Sequence, residues 1–118
     1  MWWPLLVACA LQPAPNELSL TTESGSFDVT VAFAPDPPAV GEVTMTMTVV
    51  DVEGAPVDAT VAVDPWMPEH SHGVADPPVV TSTEPGVYTA TWVCPMAGEW
   101  QLTIGVDDDP AVADVAFY

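Results

Sequence analysis

The sequence predicts an all-β protein, an immunoglobulin-like antiparallel β-sandwich of about seven strands. Three observations lead there. Apolar residues alternate with period two in one segment after another, from Ser26 to the end of the chain. Turn signals built on proline and glycine separate these segments at short, regular spacing. The composition also suits strands and turns: 49% of the 118 residues are apolar, with many Val and Thr, and fourteen are proline. No long window in the body of the chain places apolar residues at helical spacing. A chain of this length can bury a core without a staple.

The strands read off in order. Phe27, Val29, Val31 and Phe33 oppose Asp28, Thr30 and Ala32, a strand with one buried face. "PDPPAVGE" ends it, because consecutive prolines cannot occupy a sheet interior. Val43, Met45, Met47 and Val49 then alternate with Thr44, Thr46 and Thr48, and "DVEGAP" turns the chain on Gly54 and Pro56. Val57, Ala59, Val61 and Val63 share the next face. A short apolar piece from Val79 to Thr81 precedes the turn "TEPG". Tyr88, Ala90, Trp92 and Cys94 share one face of "VYTATWVC", and Trp100, Leu102, Ile104 and Val106 share one face of "EWQLTIGV". The last strand, Ala111 to Tyr118, follows "DDDP".

Charge excludes several functions. Seventeen Asp and Glu stand against no Lys or Arg, where ordinary usage would supply on the order of a dozen basic residues. Phosphate backbones and anionic lipid headgroups are repelled, so no nucleic acid is expected as a partner. Chemistry that needs an ammonium or guanidinium clamp is excluded. Cations are the guests such a surface favours, although a uniformly solvated acidic surface gives the same composition. Three adjacent carboxylates in "VDDDPAVAD" offer hard oxygen ligands, but neighbours on a strand alternate in direction. A solvated hairpin tip is the reading taken for them.

The amino terminus, "MWWPLLVACA", reads as an apolar export segment. Leu6-Val7-Ala8-Cys9 resembles the lipobox of bacterial lipoproteins, in which the Cys is lipidated, although no basic residue precedes the apolar run. The Pro/Ser/Thr-rich stretch that follows suits a tether. The expected division is residues 1–9 as signal and lipobox, 10–25 as flexible tether and 26–118 as the sandwich domain. Membrane contact is then expected only through a lipid anchor on Cys9, at the periplasm or cell envelope. No other segment is long enough to span a bilayer. If Cys9 is not lipidated, a Cys9–Cys94 disulfide is the alternative.

The stretch from Gly41 to Val106 resembles the YtkA-like family of small extracytoplasmic domains, related in pattern to FixH-type proteins. The matching pieces are Met67-Pro68, then His70 to Gly73, then Gly86-Val87-Tyr88, and finally Met96-Ala97-Gly98-Glu99-Trp100. The resemblance implies an exported β-sandwich, and it implies copper binding or metalloprotein assembly through Met/His loops. Cys94 stands where such domains usually carry a plain hydrophobe.

"PWMPEHSHG" holds both histidines of the chain. In an extended segment His70 and His72 would project to one side, where both could ligate one ion at about 2.0 Å per nitrogen. Met67 and Met96 offer thioethers and Cys94 a thiolate, a donor set that favours copper over hard cations. Each also has a plain structural reading. Met67 and Met96 can plug the end of the core, Cys94 shares the parity of buried Tyr88 and Trp92, and the histidines can be a solvated loop. Ser71 would point away from both histidines, and a Cys94–His70 dyad lacks a third orienting group, so the chain is read as non-catalytic. The competing function is a passive interaction module that binds through edge strands or end loops, with Trp66 and Trp100 near one pole.

Overall fold

The computed structural model of the protein describes residues 17–118. The lipobox, Cys9 and the first part of the expected tether lie outside the described residues. Within them the chain is all-β. The strands are β1 (Leu18–Thr21), β2 (Phe27–Ala34), β3 (Gly41–Asp51), β4 (Val61–Trp66), β5 (Val79–Glu84), β6 (Val87–Cys94), β7 (Gly98–Val106) and β8 (Asp109–Phe117). They form two antiparallel sheets, ordered β1-β2-β3-β6-β5 and β4-β7-β8, as a sandwich requires.

The alternation read from the sequence is the alternation of burial. In β3, Val43, Met45, Met47 and Val49 are buried while Thr46 and Thr48 are exposed. Register carries the pattern across the sheet. Val31 faces Met47, which faces Tyr88, and Val43 faces Trp92. The second sheet supplies Val61, Val63, Trp100, Leu102, Ile104, Val106, Ala111 and Phe117 to the same core. Trp92 lies between two aromatic neighbours, edge to ring with Trp100 at 5.8 Å and tilted against Phe117 at 5.3 Å by ring centroids. Its buried indole N–H donates to the Met45 sulfur at 3.3 Å. Among the described residues, no buried side-chain polar atom lacks a hydrogen-bond partner.

Two expectations are corrected. The first is the tether: its last part is structured, since β1 pairs with β2 from Leu18↔Val31 to Thr21↔Asp28. Leu18 and Leu20 pack against the core, and the strands number eight among the described residues, in line with the about seven expected. The second is the strand expected from Val57, which begins at Val61. Ahead of it the Tyr88 hydroxyl takes over, accepting from the Ala59 N–H and donating to the Val57 carbonyl, each at 2.8 Å. The "DDD" stretch is a hairpin tip as expected. Asp107 and Asp108 both have positive φ, 49° and 66°, the signature of a two-residue type I′ turn between β7 and β8.

Candidate functional site

β4 continues its parity beyond its last ladder residue. Val61, Val63, Pro65 and Met67 are all buried, and Met67 drops into the core with 1% of its surface exposed. Its methyl fills the space above Gly98, where an added Cβ would lie only 2.4 Å from it. Gly98 has φ +136°, a conformation that also favours glycine. One residue type at the start of β7 therefore makes room for the plug.

From Met67 the chain turns tightly instead of running extended. Met67 and His72 form a bridge in which the Met67 N–H donates to the His72 carbonyl at 2.8 Å. Inside it the His70 N–H donates to the Met67 carbonyl at 3.2 Å, and Ser71 takes a left-handed φ of 52°. The extended geometry expected for the two histidines is thus corrected. A reverse turn brings them together rather than strand alternation, and their ring centroids are 5.9 Å apart.

The two rings differ in setting. His70 is exposed. His72 is half-buried, packed edge to ring on Trp100 at 5.7 Å, with Nδ1 2.8 Å from the Gly73 carbonyl oxygen. With Nδ1–H donated to that carbonyl, Nε2 carries the lone pair, the arrangement usual for a metal-ligating histidine. A metal about 2.0 Å from one nitrogen of each ring lies about 3.2 Å from each centroid, so ligating rings sit within about 6.4 Å of one another. The observed separation satisfies that limit.

The sulfurs distribute unequally. Cys94 is buried, on the face of Tyr88 and Trp92, and its S–H donates to the Met96 carbonyl at 3.2 Å. Burial pushes its pKa up, only partly countered by that hydrogen bond, so the thiol form is favoured. Met67 is equally enclosed. Met96 alone of the three is half-buried, packed against the edge of the core. Its carbonyl also accepts from the Trp100 indole N–H at 3.0 Å. A short relay of contacts therefore links His72, through Trp100, to the segment 94–96, so the turn and that segment share one pole of the sandwich. Glu69 and Glu99 stand with Pro68 around an open cleft beside the turn. No group of three or more His, Cys, Asp or Glu side chains suited to a metal occurs among the described residues.

The sequence reading missed the Gly73 carbonyl and the Trp100 ring as partners of His72. Only the Ser-His-Gly run hinted at a turn there. Trp100 is fully buried and Trp66 is 42% exposed, so of these two only Trp66 offers an aromatic surface at this pole.

The fold and the pole define a class: a small antiparallel β-sandwich that presents a two-histidine turn at one end. The chain belongs to the YtkA-like family, whose model matches residues 21–105. A search of curated proteins finds no match to it.

Proposed function

We propose that the protein is a non-catalytic, exported copper-binding domain whose metal is held by His70 and His72. The observation that carries this reading is the paired imidazoles at 5.9 Å, with His72 Nδ1 committed to the Gly73 carbonyl. Copper supplies the affinity for imidazole that such a pair offers. The Met96 thioether is the sulfur nearest in exposure to serve beside them, while Met67 and Cys94 belong to the packing of the core. An acidic molecule without Lys or Arg concentrates cations at its surface and opposes none at the turn. The lipobox-like Leu6 to Cys9 and the family support a position at the cell envelope on a lipid anchor, where a metalloprotein client would receive the ion.

The test is an anaerobic Cu(I) titration of the full-length protein against a competing chelator, alongside the His70→Ala/His72→Ala variant. One-to-one binding that weakens roughly tenfold or more in the variant is expected. A folded double variant that binds copper as well as the parent overturns the reading.

A further inference from the structure

The four strands at the edges of the two sheets are not equally protected. β1 is only four residues long. β4 carries Asp64 and Pro65, and β8 carries Pro110 and Asp114. Short strands, prolines and charges are the usual means of blocking an edge against further pairing. β5, "VVTSTE", has no proline and no charge before Glu84, and its one irregularity, a bulge between Ser82 and Glu84, lies at the far end of the strand. One side of it pairs with β6; its other side pairs with no strand among the described residues. β4 passes near it without bonding to it, and every β5 residue except Val80 is exposed.

The surface beside this edge is specific in chemistry. Val79 is 70% and Val93 63% exposed, the most exposed large apolar side chains on the strands of the described residues. With Pro77, Pro95 and Trp92 they line a groove of ≈ 420 Å³ at the start of β5. Rows of uncharged side chains run inward from the edge, Thr81–Thr89–Thr46 and Val79–Thr91–Thr44. Carboxylates stand towards the ends: Asp76 in the groove wall with Glu42 opposite Val93, and Glu84 with Asp58 at the far end of the strand.

We propose that the β5 edge is a docking site for an extended segment of a partner protein, which adds to the five-stranded sheet as a sixth strand. Backbone hydrogen bonds along Val79–Ser82, ahead of the bulge, supply the pairing, and the groove takes a small apolar side chain. The segment is β-branched or small in its middle and carries Lys or Arg towards its ends, to match Asp76 at one end and Asp58 with Glu84 at the other. A second copy of this chain is disfavoured as occupant, because each copy brings a net charge of -17 and no basic residue. This inference is independent of copper binding.

The full-length protein, titrated at low ionic strength with two synthetic peptides, provides the test. Both alternate valine and threonine; one has lysine at each end and the other glutamate. The lysine peptide is expected to bind roughly tenfold or more tighter, with backbone amide shifts confined to β5 and the Val93 region. Asp76 and Glu84 are exposed, so the Asp76→Lys/Glu84→Lys variant keeps the fold and is expected to cut the preference severalfold, although the remaining net charge still favours the lysine peptide. Thr81→Pro is expected to abolish binding, and the charge-swap variant decides the matter if the proline variant fails to fold. Equal binding of both peptides, shifts on β4 or β8 instead, or an unchanged preference in the charge-swap variant overturns the proposal. So does a dimer seen by sedimentation without peptide and mapped to β5, which would assign the edge to a second copy.

Discussion

Tyr88 shows how much one side chain of this fold holds in place. Its ring is buried in the core while its hydroxyl closes two backbone groups of the segment before β4, the Ala59 N–H and the Val57 carbonyl. Tyr88→Phe keeps the apolar ring and removes both partners at once. Leaving such groups without a hydrogen bond costs about 1–3 kcal/mol each when buried. These are half-buried, so a loss of about 1–2 kcal/mol in denaturant unfolding is expected. The sequence made the buried ring legible through its parity with Ala90 and Trp92. It did not make the hydroxyl's role legible, because the partners lie 29 and 31 residues away. The same holds for Met67. The sequence left it as plug or ligand, and its burial beside Gly98 depends on contacts that no local pattern shows.

Among the elements, the strands with strict alternation were readable because each buries one full face. β1 was not. "LSLT" is too short to signal by itself, and its two leucines are half-buried only by pairing against Val29 and Val31. The Met67–His72 turn was equally hidden, since it depends on a left-handed serine rather than on glycine or asparagine. The acidic hairpin is tied down by its own carboxylates. The Asp107 carboxylate accepts from the Thr60 N–H at 2.9 Å, and Asp109 accepts from the Ser24 hydroxyl and N–H. The Ser24 hydroxyl above all, then Thr22, holds the Asp109 carboxyl below its ordinary pKa. A depressed folded pKa contributes stability that is present above the unfolded value and lost as pH falls through the folded one. Ser24→Ala is therefore expected to lower the urea midpoint slightly at neutral pH. The deficit should shrink in acid, once Asp109 is protonated in parent and variant alike, to the part owed to the Ser24 hydroxyl's contacts with Ser26. A deficit that persisted unchanged into acid would remove the electrostatic account of this contact.

At the scale of the whole molecule, net charge dominates. With every charged side chain an Asp or Glu, the long-range electrostatics of the folded state are repulsive, and no Lys or Arg ion pair exists to be screened. Added sodium chloride should therefore raise the melting temperature steadily towards about 0.15 M, where the screening length has fallen to about 8 Å. A melting temperature lowered by salt would point to attractive electrostatics that this composition does not supply. The same acidity gives copper a second way to bind, through scattered carboxylates, and a titration alone does not separate that from the histidine turn. Pulsed electron paramagnetic resonance of the Cu(II)-loaded full-length protein does. The account predicts the nuclear modulation of two coordinated imidazoles, reduced to one in His70→Ala and in His72→Ala and absent from the double variant. A spectrum with oxygen ligands and no imidazole modulation would contradict it.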